Sequence, residues 1–251
     1  LKASNLLDQK AISIQMQNSA ASTVFTPAYL RSLTTYGSMV PYFNEASELF
    51  ITRDLISGDR YTVYAPVIEG GDASLGALVN AAPKNDPYYA QIAAKYTALP
   101  GHLEERVYQD MRSMIADAAT PYEQACAILR HLQRYYRYTL SPVTPPENQD
   151  FVTYFLYVGK EGYCTYFASA MTVLCRMVGL PARYVEGFVA DVDASGQTVV
   201  TGTSAHAWTE IYFRGVSWVT FDATPWTSTQ NASSAPNQPD ELPTPSVSPS
   251  P

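Results

Sequence analysis

The sequence predicts an α+β protein in which a small β-rich region precedes a group of helices and a final antiparallel sheet. Apolar and polar residues alternate in the first part of the chain, which is the periodicity of half-buried strands. After residue 83 the apolar spacing becomes helical, and strand patterns return only after the most apolar helix. We therefore divide the chain into residues 1–83, a small β-rich domain; residues 84–226, a larger α+β domain; and residues 227–251, a linker rich in Pro and Ser that we expect to be disordered.

Composition excludes several classes of function. Of the 251 residues 46% are apolar, enough to bury a core, and only 16% are charged. The net charge is −7 and no run of five residues is rich in Lys or Arg, so we expect no nucleic-acid partner, because phosphate binding needs clustered basic residues. No apolar stretch approaches the ~20 residues of a membrane-spanning helix. The Cys and His spacings match neither a disulfide framework nor a metal site, so we expect no metal and no cofactor.

The β-rich region contains three strand patterns separated by turn-forming residues. We expect this domain to pack beside the larger one through aromatic residues such as Tyr42, Phe43 and Phe50. The first pattern carries Ile12, Ile14 and Met16 at alternate positions, the second covers residues 49–52, and the third covers residues 60–65 with Tyr61, Val63 and Ala65 on one face.

Helices occupy the next part of the chain. The apolar spacing predicts helices over residues 88–96 and 103–118. A third helix has the clearest start signal, since Thr120 is a favourable N-cap, Pro121 falls at the first helical position and Glu123 completes a capping box.

A strongly apolar helix begins at Cys164 and ends at residues 179–181. The unpaired N–H groups of a first helical turn carry about half a positive charge, which favours a thiolate and lowers the pKa of a thiol placed there. A single cysteine is more often a structural residue. Cys126 and Cys175 lie on apolar helical stripes, and we expect them to be buried and unreactive.

Three strands follow the apolar helix, and the last two are predicted to form a hairpin. An odd number of loop residues places His206 directly opposite Asp222, with both side chains on one face of the sheet. A two-residue loop would instead place Asp222 on the other face. A core histidine hydrogen-bonded to an aspartate is the alternative interpretation of this pair. The strands cover residues 184–190, 205–213 and 216–222, and the face of the pair also carries Trp208, Glu210, Trp218 and Thr220.

Together, Cys164, His206 and Asp222 match the requirements of nucleophilic catalysis. The thiolate attacks a carbonyl carbon, the imidazole transfers the proton, and the carboxylate orients the imidazole ring. The backbone N–H of Cys164 is well placed to stabilise an oxyanion. Tyr138, Tyr157 or a main-chain amide remain candidates for the second donor.

Four sequence blocks occur in a characteristic order and spacing: Gly162 to Ala168, Arg176 to Gly187, Ser204 to Glu210 and Trp218 to Pro225. They resemble the bacterial transglutaminase-like superfamily, and the resemblance extends over about residues 86–226. It implies a papain-like fold in which Cys164, His206 and Asp222 are the catalytic residues. Many members carry His two residues after the nucleophile, where this chain has Tyr166; helical spacing points positions 164 and 166 apart, so Tyr166 is not expected to be the base.

The resemblance also implies a cellular context. The similar proteins are large membrane proteins whose domain of this type is extracytoplasmic, and the tail of this chain fits a linker to a membrane helix. We therefore expect an extracytoplasmic domain at the cell surface, tethered to the membrane only through segments outside this chain. The sequence gives no indication of an oligomeric state, and two acidic loop residues, Asp191 and Asp193, are too few for a calcium site.

The expected activity is cysteine-dependent acyl transfer on a peptide or protein amide. A thioester formed on the nucleophile is resolved either by an amine, as in a transglutaminase, or by water, as in an amidase or protease. The alternative is a weakly active or inactive module that binds a peptide or cell-wall fragment. Arg183 either binds a substrate carboxylate or, as we favour, forms a structural ion pair. An amine acceptor would be attracted by Glu161, Glu186, Asp191 or Asp193, in a channel walled by Tyr163, Tyr166, Trp208 and Trp218.

Overall fold

The computed structural model describes residues 9–18, 20–27, 30–43, 49–66, 73–101 and 103–225. Their buried apolar residues form two clusters, a small one in the N-terminal sheets and a larger one among the helices and the C-terminal sheet. The predicted linker lies outside the described residues. Within them, no helix has the length and apolar character needed to cross a membrane.

The N-terminal region consists of two three-stranded antiparallel sheets. The three strands expected from alternation are present, and Tyr61, Val63 and Ala65 are fully buried on one face. Three further strands were not predicted, because segments of three or four residues are too short to show alternation. The strands are β1 (Gln9–Gln15), β2 (Ala21–Thr23), β3 (Ser32–Thr35), β4 (Pro41–Phe43), β5 (Leu49–Leu55) and β6 (Arg60–Pro66), arranged in the orders β1-β6-β3 and β2-β5-β4.

The predicted aromatic contact between the two regions is wrong. Tyr42 and Phe43 are 49% and 62% exposed, and the Tyr42 ring stacks on Phe50 within its own sheet. Within the described residues, a ring contact that does join the regions is an edge-to-face pair between Phe25 and Phe188, with centroids 5.4 Å apart. The two residues are far apart in the sequence, so their pairing leaves no local pattern.

A helix occurs inside the segment predicted to be β-rich. Helix α1 (Ala73–Ala81) buries Leu75 and Val79 in the larger cluster, where Tyr122 also lies. Its packing joins it to the C-terminal region rather than to the sheets. The domain division remains a prediction, and we propose that its boundary falls before α1 rather than at residue 83.

The helices that follow agree with the helical spacing of the sequence. They are α2 (Tyr89–Tyr96), α3 (Glu105–Met114) and α4 (Pro121–Tyr135). The predicted capping box is complete: the Glu123 N–H donates to Thr120 Oγ1 at 3.3 Å, and the Thr120 N–H donates to Glu123 Oε2 at 2.9 Å. Such a cap satisfies two N–H groups that a helix start otherwise leaves unpaired.

The remaining elements build the C-terminal core, in which one long helix packs on a three-stranded antiparallel sheet. The Thr209 hydroxyl on this sheet donates to Ala168 O of the helix at 3.0 Å and lies 3.0 Å from Thr172 Oγ1. The elements are β7 (Arg137–Tyr138), α5 (Phe151–Tyr154) with a π-helical continuation (Phe155–Gly159), β8 (Glu161–Gly162), α6 (Cys164–Met177), β9 (Ala182–Phe188), β10 (Ala205–Phe213) and β11 (Ser217–Phe221), with sheet order β11-β10-β9.

The β10–β11 hairpin corrects one detail of the predicted register. The loop has an odd number of residues, as expected, but Glu210 pairs with Thr220. The turn is therefore centred one residue later than predicted, and His206 does not lie directly opposite Asp222. Shifting the centre by one residue moves each partner by two positions, and two positions preserve the face of the strand. His206 and Asp222 accordingly remain on the same face.

Candidate active site

Cys164 is the first residue of α6, at the position where a helix offers free N–H groups. Its N-cap, Tyr163, contributes no side-chain cap, so these donors stay available. The Cys164 sulfur accepts hydrogen bonds from the backbone N–H groups of Thr165, in its own helix, and Ala207, on β10. The Cys164 residue is partly exposed. Substrate can therefore reach a thiolate that is held by backbone donors.

The electrostatic surroundings favour the thiolate. Burial alone would raise the pKa of the Cys164 thiol, because a charge loses hydration there. The hydrogen bond and positive charge of His206, together with the two backbone donors, outweigh this effect. The pKa of Cys164 is therefore lower than that of an ordinary thiol.

His206 lies between the sulfur and a carboxylate. Its Nε2 is 2.8 Å from Asp222 Oδ2, and its side chain is only 9% exposed. Because Nε2 is engaged by Asp222, Nδ1 is the nitrogen that serves the hydrogen bond to Cys164. Burial would lower the pKa of His206, but the hydrogen bonds and charges of Asp222 and Cys164 raise it to about 9. These interactions therefore favour the imidazolium of His206 and the thiolate of Cys164 over the two neutral groups.

Asp222 is held by partners that the sequence analysis did not assign. Its Oδ1 accepts from the Thr224 N–H at 2.9 Å and from Thr224 Oγ1 at 2.7 Å. The Gln133 side chain on α4 donates to the backbone oxygens of Asp222 and Thr224 at 3.1 and 3.4 Å. Burial would raise the pKa of Asp222, but His206 and Thr224 lower it. An Asp followed two residues later by Thr is the sequence signal for such a turn; Gln133 has no local signal.

Tyr138 approaches the nucleophile from a different element. Strands β7 and β8 pair in parallel, which sets Tyr138 beside Gly162, two residues before Cys164. The Tyr138 oxygen accepts a hydrogen bond from the backbone N–H of Cys164. Burial, and then the negative charge of Cys164, raise the pKa of Tyr138, so its hydroxyl keeps its proton.

Tyr157, the other candidate donor, lies elsewhere. Its hydroxyl donates to Asp110 Oδ2 at 2.7 Å, and the Arg106 guanidinium lies over its ring at 4.0 Å. This cluster joins α3 to the π-helical turn after α5. Of the two tyrosines, the structure therefore brings only Tyr138 to the nucleophile.

Trp208 supports the imidazole of His206. The two rings are nearly parallel, with centroids 6.4 Å apart and an interplanar angle of 25°. A side chain on Gly187, in the neighbouring strand, would place its Cβ 2.6 Å from Trp208 Cη2. The indole therefore occupies space that only a glycine at position 187 leaves open.

Several other candidate residues lie away from the site. Arg183 donates from Nε to the buried carboxylate of Glu210 at 2.7 Å, which agrees with the structural ion pair that we favoured. Trp218 packs on Arg183, and Tyr166 is 5% exposed within an aromatic cluster, so neither of these rings walls a channel. Cys126 and Cys175 are buried as predicted, at 6% and 0% exposure.

The described residues contain no group of three or more His, Cys, Asp or Glu side chains arranged to hold a metal ion. Two surface cavities of about 530 and 540 Å³ adjoin His131 on the α3–α4 side, and none of Cys164, His206 and Asp222 lines them.

Comparison with known proteins relates this fold to one superfamily. Residues 109–223 match the model of the transglutaminase-like superfamily. Residues 109–223 are therefore similar to the transglutaminase-like superfamily, and the predicted α+β fold class with a papain-like transglutaminase core is confirmed. The periplasmic domain of TgpA from Pseudomonas aeruginosa, bound to ethylmercury, has the same fold, with a TM-score of 0.68 and 20% sequence identity over 90% of this chain and 75% of that chain.

Two longer proteins are similar in sequence. The uncharacterized protein YebA of Bacillus subtilis (strain 168) is 36% identical over 149 residues, which cover 56% of this chain and 20% of YebA. A protein-glutamine gamma-glutamyltransferase of Pseudomonas aeruginosa (PAO1) is 32% identical over 109 residues, which cover 42% of this chain and 16% of that enzyme. The matched parts are thus a fifth or less of both relatives.

Proposed function

We propose that this chain is a cysteine acyltransferase that forms a thioester with a glutamine side chain of a peptide or protein. The hydrogen-bonded chain of Cys164, His206 and Asp222 at the start of α6 carries the proposal. Similarity to a protein-glutamine gamma-glutamyltransferase supports the choice of glutamine. A module that only bound peptide would not require a thiol held as a thiolate beside an imidazolium.

Acylation begins from the thiolate–imidazolium pair. The Cys164 sulfur attacks the carboxamide carbon, and a C–S bond forms. As the tetrahedral intermediate collapses, the C–N bond breaks and His206 gives its proton to the departing ammonia. Asp222, hydrogen-bonded at 2.8 Å, keeps the ring oriented throughout.

The negative charge of the intermediate develops on the former carbonyl oxygen. We assign the backbone N–H of Cys164, at the start of α6, as one donor for the oxyanion. We assign the second donor to the Tyr138 hydroxyl. In the free enzyme this oxygen accepts from the Cys164 N–H. When the substrate oxygen takes over that N–H, Tyr138 Oη is within reach to donate its own proton.

The thioester is resolved by an amine or by water. In either case the incoming nucleophile forms a bond to the acyl carbon, its proton passes to His206, and the Cys164 thiolate leaves. We propose amine transfer as the principal outcome and hydrolysis as the competing one. A site open to solvent favours hydrolysis, because water is by far the most abundant nucleophile, so transfer requires features that recruit the amine.

We also propose an extracytoplasmic location, in a larger protein anchored to the membrane by segments outside this chain. The support is that the similar domain of TgpA is named as periplasmic and that the similar proteins are much longer than this chain. Protease treatment of intact cells that express the whole protein tests the location. Cleavage of this domain without cell lysis is expected, and protection until lysis would contradict the proposal.

The activity is tested with a library of glutamine-containing peptides and a labelled primary amine. Ammonia release, amine incorporation and peptide cleavage are measured together, with Cys164→Ala as the control. Ammonia release that depends on Cys164 supports the proposal, and incorporation identifies transfer. Peptide cleavage without ammonia release or amine incorporation would contradict the transferase proposal and indicate a protease. Failure of iodoacetamide to label Cys164 at neutral pH would favour the inactive binding module.

A further inference from the structure

Four acidic residues are candidates for recruiting the amine: Glu161, Glu186, Asp191 and Asp193. Two of them form contacts elsewhere in the structure. Glu161 forms an ion pair with Arg137 on the adjacent strand, so its charge is already compensated. The Asp193 carboxylate accepts from the N–H groups of Ser195 and Gln197 within its own turn. These two carboxylates are therefore engaged in local structure.

Glu186 lies on β9 next to the nucleophile. Its partner across the sheet is Ala207, the residue whose N–H donates to the Cys164 sulfur. Side chains at directly opposed positions of an antiparallel pair lie on the same face, with Cβ atoms about 4.5–5.5 Å apart. Glu186 is thus on the face of the sheet that meets the start of α6.

A tyrosine fixes the orientation of this carboxylate. The Tyr184 hydroxyl donates to Glu186 Oε1 at 2.6 Å and lies 3.5 Å from Thr165 Oγ1, in the first turn of α6. The Glu186 carboxylate is therefore at most two hydrogen-bond lengths from the residue that follows Cys164. Glu186 is exposed, and within the part of the chain that the structure describes no Lys or Arg forms an ion pair with it. One carboxylate oxygen thus faces solvent beside the nucleophile.

We propose that Glu186, held by Tyr184, is the acceptor subsite that attracts the ammonium group of a primary amine, such as a lysine side chain, to the thioester. The inference rests on the proposed function, since it concerns the second half of the same reaction. The ammonium binds beside Glu186 and loses one proton to solvent. The neutral nitrogen then forms the C–N bond, its second proton passes to His206, and the C–S bond breaks to restore the Cys164 thiolate.

The first experiment measures charge selectivity at Cys164 without any donor substrate. Two thiol reagents are compared, 2-aminoethyl methanethiosulfonate, which carries an ammonium group, and methyl methanethiosulfonate, which is uncharged. Each forms a disulfide with the Cys164 thiolate and expels methanesulfinate. In Glu186→Gln the ratio of the cationic to the neutral rate is expected to fall about fivefold, the effect of one exposed charge. Glu105→Gln, an exposed position on α3, removes the same charge and is the matched control.

The second experiment measures partitioning of the thioester with a glutamine-containing peptide. With pentylamine, Glu186→Gln is expected to lower the ratio of amide product to hydrolysed product about fivefold, with ammonia release unchanged. With hydroxylamine, which is uncharged at neutral pH, the ratio is expected to stay the same.

The outcomes separate this inference from the proposed function. The subsite is supported if Glu186→Gln slows the reactions of the cationic thiol reagent and of pentylamine, and leaves those of the uncharged thiol reagent and of hydroxylamine unchanged. An unchanged rate ratio in Glu186→Gln, or an equal loss with the neutral reagents, overturns it while Cys164 chemistry stands. No reaction of Cys164 with either thiol reagent would overturn the proposed function and the subsite together.

Discussion

Helix α6 carries one cysteine in its first turn and another about three turns further on, and the two thiols differ in opposite directions from an ordinary cysteine. Cys175 is fully buried, and burial raises its pKa, so it stays a neutral thiol. Cys164 is partly exposed, and the donors around it lower its pKa. The same residue type on one helix is therefore inert at one end and activated at the other, according to the partners that the fold supplies.

A buried tyrosine in the N-terminal sheets provides a second comparison with the candidate site. Tyr61 is fully buried there, and burial raises its pKa to about 12, while its hydroxyl exchanges hydrogen bonds with the backbone of Phe25. Burial with neutral partners keeps the group neutral. At the start of α6 the partners are themselves ionisable, and His206 reaches a pKa of about 9 despite burial. A chain of mutually charged partners is what distinguishes the candidate site from an ordinary core.

The largest effect is expected from replacing the two cysteines of α6 by alanine, one at a time. Cys164→Ala should reduce turnover at least about a thousandfold, because no other group can form the thioester. Cys175→Ala should keep the rate and cost about 1 kcal/mol of unfolding free energy, as a small core deletion. Steady-state rates and denaturant unfolding measure the two effects. If Cys164→Ala kept its turnover, Cys164 would not be the nucleophile, and the proposed difference between the two cysteines of α6 would be wrong.

The second largest effect concerns the carboxylate that supports the imidazole. Asp222→Ala should lower the rate of acylation about a thousandfold, since the ring loses its orientation and its charge partner. In the unmodified protein, acylation should fall as pH drops through the lowered pKa of Cys164, because the thiolate is lost. It should also fall as pH rises through about 9, because His206 loses the proton that ammonia needs.

The matched measurement is the pH dependence of acylation in Asp222→Ala. Without the carboxylate the pKa of His206 should decrease, so the alkaline limb of the profile should move to lower pH. Asp193→Asn removes an exposed carboxylate that is bonded within its own turn and does not contribute to the raised pKa of His206, so it should leave the profile in place. An alkaline limb that did not move would mean that Asp222 does not stabilise the imidazolium.

A smaller effect on kcat is expected from removing the Tyr138 hydroxyl, the proposed second hydrogen-bond donor to the oxyanion. Tyr138→Phe keeps the ring but removes the donor, and should lower kcat about a hundredfold with little change in KM, because the bond strengthens only in the transition state. Tyr157→Phe breaks the bond to Asp110 and should leave kcat unchanged. Equal losses of kcat in both variants would indicate a general loss of packing rather than a donor at Tyr138.

These residues also show where sequence reasoning succeeds and where it stops. Alternation fixed which face of β10 and β11 carries His206 and Asp222, because a period of two survives a shifted turn. It could not place the centre of the turn, which depends on backbone conformation: Gly215 and Ser217 have φ of 72° and 107°. The choice between Tyr138 and Tyr157 depended on the parallel pairing of β7 with β8 across 24 residues, a contact with no local signal.

The smallest effect tests whether Trp208 holds the imidazole of His206 in position. Gly187→Ala places a methyl group 2.6 Å from Trp208 Cη2 and 3.2 Å from Cζ3, so the indole has to move. Because the Trp208 ring stacks beside His206, we expect the imidazole to lose its fixed position and kcat to fall about tenfold.

Gly202→Ala is the matched control, since Gly202 lies shortly before His206 and a Cβ there meets nothing within 4 Å. This variant should keep both the rate and the stability of the unmodified protein. The rate of Cys164 alkylation at neutral pH provides a second readout, because a displaced imidazole stabilises the thiolate less. If Gly187→Ala slowed turnover but left alkylation unchanged, Trp208 would contact the substrate rather than hold the imidazole. The thiol of Cys164 would then owe its lowered pKa to His206, oriented by Asp222, and to the backbone donors, without help from Trp208.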